Sequence, residues 1–321
     1  MSTERLRIAF LMDPIAGIDI EKDTTFAFLL ESQARGHANF VLGPSDLAIR
    51  RGVPEARVQP VKVQRKAGAH ATLGEAYRCA LEDFDVVMLR KDPPFDMSFF
   101  FDTHVASLID EKKTLVLNRP AGLRDANEKL YALRFPEVIP DSLVTADADL
   151  LTAFLAEMGG EMIIKPLDGC GGAGIFHLHR DDRNLNAILE TATGEGRVRV
   201  MAQRYLPEVR EGDKRIIVID GEPRGAVLRV PDAGDHRSNF HVGGSAARSE
   251  LTARDREICA NIAEDLRRDG LVFVGLDVIG GYLTEVNVTS PTGIQEIDQL
   301  CGTNLAADMI DWIETACAAR A

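Results

Sequence analysis

Glu161–Leu178 reads EMIIKPLDGCGGAGIFHL. Met162, Ile163 and Ile164 form a short apolar run that stops at Lys165 and Pro166. Gly169, Gly171, Gly172 and Gly174 crowd into the next six residues, and an apolar pattern resumes at Ile175, Phe176 and Leu178. The pattern predicts strand, glycine loop, strand. Without a Cβ, glycine lets backbone N–H groups turn inward and approach a ligand closely, and such a nest of dipoles suits a phosphate. Lys165, just upstream, supplies the full positive charge that the nest lacks.

Gly169, Gly171 and Gly174 fit G-x-G-x-x-G, but a dinucleotide site of that type needs a helix right after the loop and an acid about 20 residues on. Here a strand is expected after the loop, and Glu190 falls short of that spacing. G-x-x-x-x-G-K-[ST] occurs nowhere in the chain. A glycine loop between two strands, with a lysine on the first, matches instead the nucleotide cover of kinase-like and ligase-like sites. A plain hairpin is the bland alternative, and four glycines carry an entropic cost that such a turn does not require.

The 321 residues suggest two or three domains, and 45% hydrophobic residues suffice for a sizeable core. A net charge of −13 without a Lys/Arg-rich run argues against nucleic acid and anionic membranes as partners. It also gives weight to each cation near the glycine loop. The five cysteines, Cys79, Cys170, Cys259, Cys301 and Cys317, are scattered with no C-x-x-C pair. They indicate neither a disulfide framework nor a zinc site, and reduced thiols with no signal segment predict a soluble, cytoplasmic protein. Cys170 reads as a small filler.

In chain order, strands are expected at Arg7–Met12, Asn39–Leu42, Arg57–Gln64, Asp85–Leu89 and Thr114–Leu117, with Arg57–Gln64 at a sheet edge because of Pro60. Helices are expected at Thr24–Arg35, capped by Asp23 and stopped by Gly36, and at Ser98–Lys112. This alternation is an open α/β sheet, whose ligands sit beyond the carboxyl ends of its strands; Asp13, Arg90–Asp92 and Asn118 lie there. A boundary falls near Arg119–Gly122. A short helix Arg124–Arg134, a strand Ser142–Thr145, a capped helix Asp147–Met158 and a strand Arg197–Gln203 surround the glycine hairpin, and a second boundary follows at Arg204–Pro207. Asp213–Ile219 and Glu222–Arg229 form a hairpin, Pro231–Gly244 a polar lid-like loop, and Thr252–Arg268 and Asn304–Ala319 helices.

Strands Leu271–Ile279 and Tyr282–Val288 carry Asp277, Glu285 and Asn287. Glu285 and Asn287, two apart on a strand, share a face. Asp277 joins them only if paired with Glu285, which calls for an odd-numbered turn centred on Gly281; a strict two-residue Gly-Gly turn pairs Asp277 with Thr284. Carboxylates and an amide oxygen suit Mg²⁺; an exposed acidic strand face is the alternative. His177 and His179 also share a strand face and are read as ordinary surface residues.

These residues resemble the ATP-grasp ligases, and within them the bacterial glutathione synthetases. The similarity runs through six collinear blocks: MDPIAGIDIEKD at Met12–Asp23, LRKDPPFD at Leu89–Asp96, LRDANEKL at Leu123–Leu130, IIKPLDGCGGAGIF at Ile163–Phe176, GDKRIIVIDGEP at Gly212–Pro223 and FVGLDVIGGYLTEVNVTSPTGI at Phe273–Ile294. The resemblance implies an α/β (α+β) ATP-grasp fold: an N-terminal open α/β substrate domain (1–121), a central lid domain with the glycine loop (122–203) and a C-terminal ATP-grasp domain (204–321). It implies ligation of γ-glutamylcysteine and glycine with ATP, through an acyl phosphate, with Mg²⁺ or Mn²⁺, in a homo-oligomer, a tetramer or a dimer. It places Lys129, Lys165, Gly169, Gly171, Gly172, Gln203, Arg204, Tyr205, Leu206 and Asp213 at ATP, and Asp277, Glu285 and Asn287 at the metal. Arg215 and Arg229 face the substrate carboxylate and acyl phosphate, with Asp13, Arg90, Asn287, Thr289 and Ser290 also at the substrates.

Rival readings are a D-alanine or glutamate ligase of the same fold, a non-catalytic nucleotide-binding regulator and a dinucleotide oxidoreductase. The blocks at Met12 and Leu89 disfavour the first, the intact Asp277/Glu285/Asn287 set the second, and the strand after Gly174 the third. Phosphorylating a carboxylate to make it electrophilic is mostly positioning and charge neutralisation, which asks for lysines, an arginine and N–H groups rather than a base.

Overall fold

The structure, a computed structural model, describes residues 5–169, 171–231 and 245–320. Cys170, and the lid-like stretch beyond Pro231, lie outside the described residues.

The described chain forms three sheets. The first contains β1 (Arg7–Met12), β2 (Ala38–Leu42), β3 (Leu47–Arg50), β4 (Val53–Val63), β5 (Ala71–Leu73), β6 (Tyr77–Ala80), β7 (Val86–Arg90) and β8 (Leu115–Leu117). β1, β2, β7 and β8 run parallel. β1 and β7 read as near-continuous apolar runs because both faces of a parallel sheet are covered. α1 (Thr24–Ala34) starts where the Asp23 carboxylate accepts the Phe26 N–H at 2.6 Å. α2 (Met97–Ala106) is shorter than the expected Ser98–Lys112. Asp110 closes a turn there by accepting the Lys112 N–H at 3.0 Å, a local bond that competes with the helix.

β4 is not the edge strand expected from Pro60. Its first half pairs with β3 and β6, its second with β2 and β5. Pro60 is tolerated because only its carbonyl is needed, and that accepts the Gly74 N–H at 2.8 Å.

The expected helix Arg124–Arg134 is instead α3 (Pro120–Asp125) and a separate 3₁₀ turn at Tyr131–Arg134. Asn127 breaks it: its Oδ1 accepts the N–H groups of Lys129 (3.1 Å) and Leu130 (3.0 Å), offering the backbone an alternative to the helical ladder.

β9 (Ser142–Thr145), α4 (Ala148–Glu157), β10 (Glu161–Pro166), β11 (Phe176–His179), α5 (Leu185–Ala192) and β12 (Val200–Arg204) follow. Their strands form an antiparallel sheet in the order β11-β10-β12-β9. Met162, Ile164, Leu178, Val200 and Ala202 meet Leu151, Leu155 and Leu189 in a core of their own. α5, unforeseen in the sequence, closes that core with Leu189.

The third sheet has the order β15-β14-β13-β16-β17, built from β13 (Asp213–Ile219), β14 (Glu222–Val230), β15 (Ser245–Ser249), β16 (Phe273–Ile279) and β17 (Tyr282–Asn287), with α6 (Ala253–Asp269), α7 (Ile294–Cys301) and α8 (Leu305–Ala318). Its core is continuous with that of the first sheet: Ile216 and Val274 join Ala9 and Val87, and Phe273 and Ile310 join Phe10 and Phe28. Phe28 and Phe273 meet edge to face at 5.1 Å.

Asn118, expected at a ligand site, is a cross-link between these two sheets. Its Nδ2 donates to the carbonyls of Phe273 (2.9 Å) and Val288 (2.8 Å), and its Oδ1 accepts the N–H groups of Val272 and Phe273, each at 2.9 Å. A buried amide with all four bonds made fixes the docking of β8 on β16. Asn118→Ala leaves these backbone groups unpaired in a dry seam, and urea unfolding should show a loss of about 2–4 kcal/mol; a loss under about 1 kcal/mol would refute the cross-link.

Candidate active site

A cleft lies between the four-stranded and five-stranded sheets. Its apolar wall comes from Ile163, Ile175, Leu206, Val209 and Ile279, and its polar end from Lys129, Lys165, Asp213, Asp277 and Glu285. β10 carries Ile163 and Lys165 on the face away from Met162 and Ile164, as strand alternation requires. Gly171, Gly172 and Gly174 have φ of +64°, +81° and +74°, the left-handed region that side chains resist. Gly169 is needed for space: a Cβ there meets Pro166 Cγ at 2.6 Å.

At the other side, Gln203, Arg204, Tyr205 and Leu206 line the cleft where β12 ends. Gln203 Nε2 donates to Ser142 Oγ at 3.0 Å. The Arg204 guanidinium lies over the Tyr282 ring at 4.8 Å, and Tyr205 stacks on His177 at 3.8 Å.

Asp277 faces Glu285, with Gly275 opposite Asn287 one step along. The route differs from the expected odd-numbered turn. Ile279 pairs with Tyr282 across a two-residue Gly280-Gly281 turn, and a bulge then inserts Thr284, so that Asp277 meets Glu285 after all. Thr284 is buried; its hydroxyl donates to the Asp277 carbonyl at 3.1 Å and its own carbonyl accepts from Lys165 Nζ at 3.3 Å.

Arg215 donates to both carboxylate oxygens of Asp277, from Nε at 2.6 Å and Nη2 at 3.1 Å. Arg229 Nη2 reaches the same carboxylate at 3.0 Å and also bonds Asp213. The two arginines therefore converge, as their places on antiparallel β13 and β14 predict. Asn287 Nδ2 donates to Asp277 Oδ2 at 3.2 Å. Glu285 Oε1 lies 3.6 Å from Lys165 Nζ and 3.8 Å from Lys129 Nζ, and Lys129 also bonds Glu128 and, at 2.7 Å, the Gly169 carbonyl.

Burial sets the charges against one another. It works against ionisation of Asp277, yet the Arg215 and Arg229 guanidiniums outweigh it and hold the carboxyl at about 2. Burial pushes Asp213 up to about 6 despite Arg229. It pushes Lys165 down, with Glu285 opposing, and Glu128 up, with Glu285 adding to the shift.

Arg90, Asp13, Thr289 and Ser290 do not line this cleft. Arg90 is buried between the Phe28 and Phe273 rings, donates to Thr25 Oγ1 and the Pro291 carbonyl at 3.1 Å each, and is lowered by burial to about 10. Because Thr292 O accepts from Arg215 Nη1 at 3.1 Å, the 288–293 turn links the two arginines, and Ser290 is buried within it. Asp13 accepts the Asp92 N–H at 2.9 Å and lies 3.5 Å from Lys91 Nζ.

Models of the prokaryotic glutathione synthetase N-terminal domain and ATP-grasp domain match residues 6–124 and 128–302. The chain belongs to the prokaryotic glutathione synthetase family. Glutathione synthetases of Mesorhizobium japonicum and Brucella melitensis are 49% and 50% identical to it, covering 97% and 96% of this chain and 98% of each relative. In fold it is similar to a D-cycloserine synthetase (TM-score 0.66, 15% identity, 97% and 99% of the two chains covered) and to an ATP-grasp ligase solved with Mg and ADP (TM-score 0.65, 20% identity, 97% and 98% covered). It is therefore an ATP-dependent ligase of ATP-grasp fold.

Glu128, Thr284, Val209 and Ile279 were not singled out in the sequence. Glu128 stood beside Lys129 in LRDANEKL. The bulge at Thr284 has no local signature, since it is defined by the partner strand. Gly275 was equally silent: a Cβ there meets Pro291 Cβ at 2.9 Å and Arg215 Cδ and Nη1 at 3.2 Å. Gly275→Ala should displace the Arg215 fork and lower kcat/KM about tenfold while the fold persists; wild-type kinetics would show that Arg215 tolerates the shift.

Proposed function

We infer that the chain joins γ-glutamylcysteine to glycine, converting ATP to ADP and phosphate, and that the charged end of the cleft is where this happens. The observation that carries the reading is the convergence of Arg215 and Arg229 on one carboxylate opposite Glu285, beside Lys129, Lys165 and the glycine loop. Adenine lies along Gln203–Leu206 against the apolar wall. Asp213 takes the ribose. Lys129, Lys165 and the N–H groups at Gly171 and Gly172 hold the phosphates.

The family's divalent metal fits the residues present. Asp277, Glu285 and the Asn287 amide are hard oxygen donors on neighbouring strands, and three of them leave positions for phosphate oxygens and water, which suits Mg²⁺, or Mn²⁺. When bound, the ion neutralises the phosphate charge that develops during transfer.

The chain's own residues position the rest. The donor carboxylate attacks the γ-phosphorus, the bond to ADP breaks, and an acyl phosphate forms. Arg215 and Arg229, forked and permanently charged, can exchange Asp277 for that carboxylate and its phosphorylated form. The glycine amine then attacks the acyl carbon, phosphate leaves, and the ammonium proton passes to solvent. Arg90, Asp13, Asn287, Thr289 and Ser290 complete the substrate side, Arg90 through the turn it shares with Arg215.

We further propose the division 1–121, 122–203 and 204–321, with cuts falling between the sheets, and a homo-oligomer, a tetramer or a dimer. Exposed Met97 and Phe101 on α2, 64% and 59% accessible, are apolar surface such contacts would cover. A cytoplasmic location accords with the free thiols of Cys79, Cys259, Cys301 and Cys317.

ADP formation should require γ-glutamylcysteine and reach its full rate only with glycine; full activity with D-alanine or glutamate as acceptor would overturn the substrate assignment. Glu285→Gln should lower kcat roughly a hundredfold or more at saturating Mg²⁺. Arg215→Lys keeps the charge but loses the fork, so it should raise KM for the dipeptide while ATP binding stays near wild type; unchanged dipeptide kinetics would remove Arg215 from the substrate site.

A further inference from the structure

Outside the nucleotide cleft, Glu161, His177 and His179 meet on the outer face of the four-stranded sheet. β10 and β11 pair Glu161 with His179 and Ile163 with His177. Alternation sends Met162 and Leu178 into the core, where both are completely buried, and leaves the three polar residues together. One carboxylate oxygen of Glu161 lies 3.5 Å from His177 Nε2 and the other 3.5 Å from His179 Nδ1. Donor atoms of all three fall within 4.8 Å of one another.

That spacing is informative. A direct carboxylate–imidazole hydrogen bond closes to about 2.8 Å. Ligand atoms at roughly 2.0–2.2 Å from a tetrahedral ion stand roughly 3.3–3.6 Å apart. The His177 ring is already oriented, stacked on Tyr205 at 3.8 Å with planes 19° apart and 4.3 Å from the His179 ring. Glu161 and His179 are half-exposed, which gives an ion a path in and a water its fourth position. Two imidazoles and one carboxylate suit a borderline ion, unlike the all-oxygen set of Asp277, Glu285 and Asn287.

We propose that Glu161, His177 and His179 form a Zn²⁺ site on the outer face of this sheet, distinct from the nucleotide cleft and independent of the reaction assigned above. Calorimetric titration of the full chain with Zn²⁺, in excess Mg²⁺, should show one saturable equivalent. Its affinity should fall in His179→Ala and in Glu161→Gln by at least the ~10-fold to 100-fold typical of losing even an outer partner. Zn²⁺ should raise the unfolding midpoint of the wild type more than that of either variant. Co²⁺ should give the intense visible bands of tetrahedral coordination, lost in both variants. Ligase activity without Zn²⁺ should be unchanged in His179→Ala, which shows that the variant is folded. Titration of the variants indistinguishable from wild type would overturn the site, as would a Zn²⁺ equivalent that vanishes only when the cysteines are blocked.

Discussion

A carboxylate buried as deeply as that of Asp277 is tenable only with charge and donors around it. Arg215 supplies two bonds, Arg229 a third and Asn287 a fourth. Those arginines are themselves buried, so each depends on the acid as much as the acid depends on them. The arrangement fixes the register of β13, β14, β16 and β17 at one point: a slip of one residue would turn an ion to the apolar side. The rest of the cleft is hung on that point. The Thr284 bulge brings Glu285 opposite Asp277 and turns a carbonyl to Lys165; the 288–293 turn ties Arg215 to Arg90; Gly275 leaves room for the guanidinium.

The same group of ions is poised for substitution rather than permanence. Its cations are held by protein carboxylates of the kind a metal would take, and its arginines by an acid that a substrate carboxylate resembles. Exchange of one anion for another costs little where the field is already built, which is the physical content of preorganisation. Lys165, weakened as a cation by burial, gains most from an arriving phosphate.

The two bodies flanking the cleft differ in how they are held. The first and third sheets share continuous apolar cores and the Asn118 cross-link, so they behave as one unit. The four-stranded sheet keeps a separate core and meets the others through polar contacts such as Asn127 Nδ2 on the Leu167 carbonyl at 2.8 Å and Lys129 on the Gly169 carbonyl. Such a sheet can carry the glycine loop over a nucleotide without disturbing the main core.

Most elements were legible in the sequence because their signals are local: the apolar runs of β1 and β7, the caps at Asp23, Asp147 and Thr252, and the glycines after Lys165. The identity of the charged site was legible too, since Glu285 and Asn287 are two apart on a strand and six blocks resemble one family. What the sequence could not give was decided by partners distant in the chain. Pro60 sits inside a sheet because Gly74 bonds its carbonyl; Asn118 faces a seam rather than a ligand because β16 arrives there; Glu161 joins His177 and His179 only through the β10–β11 register. Asp277 meets Glu285 through a bulge, not an odd turn, because a two-residue Gly-Gly turn is closed first and the extra residue is absorbed where Thr284 finds bonds. Local chemistry wrote the elements and the charges, and long-range register decided which of them face each other.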